Sequence, residues 1–97
     1  MSHKTSFPIQ NLSPEEVEEI LFRAEETGRK CIQSQIPAKE LINFNILIEL
    51  NDDELTIDCI IDLELVKKST LNPQIVADEA IQRIFSIIES KMNNGSQ

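Results

Sequence analysis

Apolar residues recur along this chain at two spacings, and each change of spacing marks an element. The series Val17, Ile20, Leu21, Ala24, Gly28, Cys31 and Ile32 advances by threes and fours, the period of one helical face. Its start is signalled by "NLSPEEVEEI": Ser13 as cap, Pro14 at the first helical position, Glu16 closing a capping box, and Leu12 with Val17 as a hydrophobic staple. The first helix is therefore expected from Pro14 to Gln35, ahead of Pro37. Glu19–Arg23, Glu25–Arg29 and Glu26–Lys30 are acid-first pairs four residues apart on its wet faces. Gly28 lies on the buried stripe, where it costs about 1 kcal/mol against alanine and implies a close backbone approach.

The period then drops to two. In "INFNILIEL" Ile42, Phe44, Ile46, Ile48 and Leu50 share one face; in "LTIDCIIDLEL" Leu55, Ile57, Cys59, Ile61, Leu63 and Leu65 do the same. The intervening "NDDE" is a turn signal. With Asp52-Asp53 as a two-residue turn, Leu50 faces Leu55, Ile48 faces Ile57, Ile46 faces Cys59 and Phe44 faces Ile61. A longer turn would keep the same faces matched, and Asp-Asp is not a favoured two-residue turn. Helical spacing returns in "LNPQIVADEAIQRIFSIIESKM", with Asn72 as cap and Pro73 at the start. Its apolar arc, from Val76 through Ile81, Phe85 and Ile88 to Met92, spans roughly half the circumference, so this helix should touch more than one layer.

These elements give an α+β fold: two layers in α-β-β-α order, an antiparallel β-hairpin with both helices packed on one face. Residues 13–92 form the single domain, residues 1–11 are expected as a mobile N-terminal arm, and residues 93–97 as a frayed C-terminus. A lone hairpin leaves both edges free and is marginal by itself. A homodimer that joins hairpins by an edge or a face would remedy this.

Charge narrows the partners. Seventeen acidic residues against 9 basic give a formal charge of −8, which opposes nucleic acid and anionic membranes. The chain has neither an apolar run of bilayer-spanning length nor a signal-peptide pattern at its start, so a cytoplasmic location is expected. Double-stranded RNA-binding domains use three strands and a basic helix terminus, whereas the second helix here opens "NPQIVADEA"; the glycine-flanked loop of the KH fold is missing too. Lys67 and Lys68 are a local basic spot at a strand end.

Candidate chemistry is sparse. No phosphate-binding loop, zinc spacing or nucleophile–histidine pair is present, and no cofactor is expected. Cys59 shares the inner parity, so Asp58, Asp62 and Glu64 point away from its thiol. Cys31 lies on the buried helical stripe, and a Cys31–Cys59 disulfide remains open. The outer-face acids, with Glu49 across the hairpin, are expected to be solvated rather than catalytic, because general acid–base work needs a desolvating cleft. The Asp52-Asp53-Glu54 turn could offer oxygens to a hard cation but lacks calcium-loop spacing. One feature departs from the alternation: Leu47 and Ile60 are apolar on the polar parity. In the expected register Leu47 faces Asp58 and Asn45 faces Ile60, so the two apolar residues are diagonal neighbours, a candidate interface rimmed by polar groups.

The order "LSPEEVEEI", "IPAKEL", "ILIEL", "LTIDCIIDLEL", "ADEAI" resembles a small archaeal family of unknown function, over most of residues 13–92. The resemblance brings no catalytic residues. It implies a housekeeping partner in protein or RNA quality control. Together these readings favour a non-enzymatic protein–protein interaction module or accessory subunit, homodimeric or bound to another protein. The alternative is a small metal-dependent enzyme using the outer-face or turn carboxylates.

Overall fold

Local signals at each helix start translate directly into geometry in the computed structural model, which describes residues 2–9 and 12–95. The Ser13 hydroxyl accepts the Glu16 N–H at 3.2 Å, and the Glu16 carboxylate accepts the Ser13 N–H at 3.1 Å. This capping box opens α1, Pro14–Gln35. A short 3-10 turn at Ala38–Glu40 leads into β2, Leu41–Asn51, which returns as β3, Thr56–Leu65. The Asn72 side chain accepts the Gln74 N–H at 2.9 Å where α2, Pro73–Gly95, begins. Helical structure thus runs into the segment expected to fray; residues 96–97 of that segment lie outside the described residues.

The largest correction is at the N-terminus. Ser2–Pro8 of the expected mobile arm form β1, antiparallel to β3, so the sheet has three strands in the order β1-β3-β2. Residues 1, 10 and 11 of that arm lie outside the described residues. One edge of the hairpin is therefore already occupied, and β3 becomes the central strand.

The hairpin register is also corrected, by two residues. Leu50 faces Ile57, Ile48 faces Cys59, Ile46 faces Ile61 and Phe44 faces Leu63. Inner residues still meet inner residues, because a two-residue slip preserves the side-chain parity. The cause is the turn. Asn51 pairs with Thr56, leaving Asp52 to Leu55 as the loop, and the Asn51 side-chain oxygen accepts the N–H groups of Asp53 (3.1 Å) and Glu54 (3.2 Å). Leu55, expected as the first inward residue of the strand, instead takes a left-handed conformation with φ 55° and is exposed. Its carbonyl accepts the Ile9 N–H at 3.1 Å, tying the end of β1 to the hairpin.

Both helices cover the same sheet face. From the sheet, Phe7, Ile46, Ile57, Cys59, Ile61 and Leu63 enter the core; α1 supplies Ile20, Ala24, Cys31 and Ile32, and α2 supplies Val76, Ala77, Ala80, Ile84 and Ile88. At Gly28 the α1 backbone is packed tightly against α2 and β2 side chains: a Cβ there would stand 2.9 Å from Ile84 Cδ1 and 3.2 Å from Ile46 Cδ1. The breadth of the apolar arc on α2 follows from its position against α1, β3 and β1, with the Phe85 and Phe7 rings 5.3 Å apart. Surface ion pairs Arg23–Glu19, Arg29–Glu25 and Lys30–Glu26 run along α1, and Lys91 joins α2 to Glu19 at 3.1 Å.

Candidate functional site

The face of the sheet away from the helices is the surface left to do work. Its rows follow from the two registers. Lys4, Ile60 and Leu47 form one row; Ser6, Asp58 and Glu49 form the next. The two-residue register change places Leu47 directly opposite Ile60, closer than the diagonal expected. Leu47 is 45% exposed and Ile60 half-buried. Asn45 faces Asp62 rather than Ile60, and Asp58 faces Glu49 rather than Leu47, so Asn45 and Asp58 flank the apolar pair from adjacent rows.

Asp58 is the best-anchored acid on this face. Ser6 Oγ and Thr56 Oγ1 both donate to its Oδ1, at 2.8 and 3.0 Å, and Asn51 Nδ2 donates to Oδ2 at 3.4 Å. The Ser6 bond, then the Thr56 bond, hold its carboxyl below the usual aspartate value. A carboxyl held in its ionised form carries no proton to give near neutral pH, and in all three of these bonds Asp58 is the acceptor. Glu49, Asn51, Asp52, Asp53 and Asp58 border an open hollow at the hairpin end. Asn51 spends its side-chain oxygen on the turn amides, which removes it from a cation-binding set. Among the described residues, no three His, Cys, Asp or Glu side chains converge as metal ligands would.

The cysteines behave as core residues. Cys59 is fully buried and burial pushes its thiol up to about 11, so it is protonated at neutral pH. Cys31 is buried on α1, with its sulfur accepting from Gln35 Nε2 at 3.3 Å. Both thiols are free, so the disulfide left open by the sequence is not formed.

Lys4 and Ser6 are the members of this face that sequence reasoning missed. The signal was present but short: Thr5, Phe7 and Ile9 alternate with Lys4, Ser6 and Pro8, fewer positions than are needed to distinguish a strand from an arm. Among the described residues, no helix is long and apolar enough to cross a membrane.

Comparison with known proteins gives a family and a fold. The sequence profile of a family described as a protein of unknown function, DUF3194, matches residues 9–91. A crystal structure from Thermococcus onnurineus NA1 superposes with a TM-score of 0.83 at 23% identity, over 97% of this chain and 94% of that one. The solution structure of a hypothetical protein from Methanothermobacter thermautotrophicus gives a TM-score of 0.69 at 25% identity, over 89% and 94%. No curated protein matches the chain.

Proposed function

The chain belongs to the DUF3194 family of unknown function, and from that premise we propose that it is a non-enzymatic protein–protein interaction module or accessory subunit. It acts in the cytoplasm, as a homodimer or on another protein, in protein or RNA quality control. The observation that carries this reading is the Leu47–Ile60 pair, apolar and partly open at the centre of a face neither helix covers. Asn45 and Asp58 beside it offer polar groups for a rim, the usual arrangement of a small docking surface. The acidic balance supports protein over nucleic acid as the direct partner.

Affinity capture from native lysate, with and without nuclease, tests the reading. The wild-type chain should retain a stoichiometric protein in both arms, and a Leu47→Ser/Ile60→Thr variant should lose it. Equal capture by the variant, or capture only while nucleic acid is intact, contradicts the proposal.

A further inference from the structure

The two outer edges of the sheet are built differently. β1 is short, 7 residues, and carries Lys4 and Pro8, both of which discourage strand addition. β2 has 11 residues, "LINFNILIELN", with Glu49 as its one charge and no proline. A bulge between Leu41 and Asn43 blunts only its beginning. Along the inner side of β2, Phe44 and Ile48 are half-buried and Leu50 is 36% exposed, so α1 covers this edge incompletely.

The ends of β2 are oppositely charged. Asp52, Asp53 and Glu54 are exposed at the hairpin turn, beside Glu49 and Asp58. At the other end the Val66 N–H donates to the Glu40 carbonyl at 2.9 Å, which brings Lys67 and Lys68 alongside Lys39. Glu40 and Glu64 share that end, so its three lysines outnumber its glutamates by one. Parallel edge pairing would set like ends together; antiparallel pairing sets the acidic turn of one copy against the lysines of the other.

We propose that β2 pairs edge to edge with β2 of a second copy, antiparallel and centred on Ile46, making one continuous six-stranded sheet across a two-fold axis. This rests on the homodimer reading above and narrows it from edge or face to one edge and one register. In that register Phe44 meets Ile48 of the second copy, apolar against apolar, and Asn45 meets Leu47, while Ile42 sits at the bulge near Leu50. Glu49 meets Asn43 rather than another acid. Lys39 meets Asp53. The symmetry is isologous, each copy giving and receiving the same contacts.

Sedimentation combined with zero-length carbodiimide cross-linking of mixed isotopically light and heavy chains tests this. The expected result is a dimer in which Lys39 of one chain is linked to Asp52 or Asp53 of the other. Such a link cannot form within one chain, because the length of β2, 11 residues at roughly 3.4 Å each, separates the groups. Two charge variants sharpen the test without touching the core. Lys39→Glu/Lys67→Glu/Lys68→Glu and Asp52→Lys/Asp53→Lys/Glu54→Lys should each weaken self-association about tenfold, and mixing them should restore it. A monomer at every concentration overturns both this inference and the homodimer half of the reading above. A dimer lacking these links and indifferent to the charge variants overturns the edge and register while leaving a homodimer through the face.

Discussion

The two faces of β3 obey different rules. On the inner face Ile57, Cys59 and Ile61 are fully buried and Leu63 is 2% exposed. On the outer face Thr56, Asp58, Ile60 and Asp62, alternating with them along the same strand, keep contact with water. The inner face is held by close packing against both helices, where a change of side-chain volume is felt directly. The outer face is held by backbone pairing and by side-chain bonds such as those of Ser6 and Thr56 to Asp58. Stability therefore concentrates on one side of the strand, while the other is the side on which the proposed docking pair Leu47–Ile60 lies.

The contrast breaks first, and most, at Ile61. Truncation to Ala leaves a cavity between the sheet and the helices and should cost about 2–5 kcal/mol in urea unfolding. Its outward neighbour Asp62 changed to Ala should cost less than about 1 kcal/mol. Comparable losses at the two positions would mean that the outer face is covered in the monomer.

A smaller loss is expected where the helices touch. Gly28→Val places methyl groups against Ile84 and Ile46, where a Cβ alone would already stand within 3.2 Å of both side chains. The expected cost is about 1–3 kcal/mol, read as a lowered melting temperature. Gly28→Ala should cost less, since the gain in helix propensity offsets part of the contact with the movable end of Ile84.

The smallest effects are those of pH, and they separate the faces by sign. Asp58 is held low by Ser6 and Thr56, and Glu16 by the Ser13 N–H and hydroxyl. A carboxyl lowered on folding stabilises the protein above its unfolded pKa, and that contribution is lost as pH falls through the folded value. Acidification below about pH 4 should thus weaken the fold, and Ser6→Ala should shallow the Asp58 part of that dependence. Cys59 acts in the opposite direction. Its thiol is raised to about 11, so its contribution is complete below the unfolded value and is lost as pH climbs through the folded one. Carboxyl and thiol titrations followed by NMR would check both signs.

How much of this was legible depends on how local each signal is. Ser13 and Glu16 announced the start of α1 because the capping box is closed within four residues. The inner faces of β2 from Phe44 and of β3 from Ile57 were legible because each alternates over many positions, whereas Ile42, expected inward, is exposed at the bulge and Leu41 packs against the core in its place. Gly28 on an apolar stripe correctly implied a close approach, here to Ile84 and Ile46. The hairpin register was not legible, because one side chain decides it: Asn51, accepting from the N–H groups of Asp53 and Glu54, goes with a turn longer by two residues. An asparagine immediately before an acidic turn was the available clue. β1 was missed because its pairing with β3 is non-local, linking Phe7 to Ile57 across all of α1 and β2. The candidate site was half legible for the same reason. Leu47 and Ile60 stood out as breaks in an alternation, but their direct opposition depends on the turn, and Lys4 and Ser6 depend on β1.

Under the proposed function, Leu47 and Ile60 serve recognition rather than stability. The most direct test of that role is the amount of partner captured per folded bait by Leu47→Ser/Ile60→Thr against wild type. Capture should be lost while the melting temperature stays near that of the wild type. Undiminished capture by the variant would contradict it.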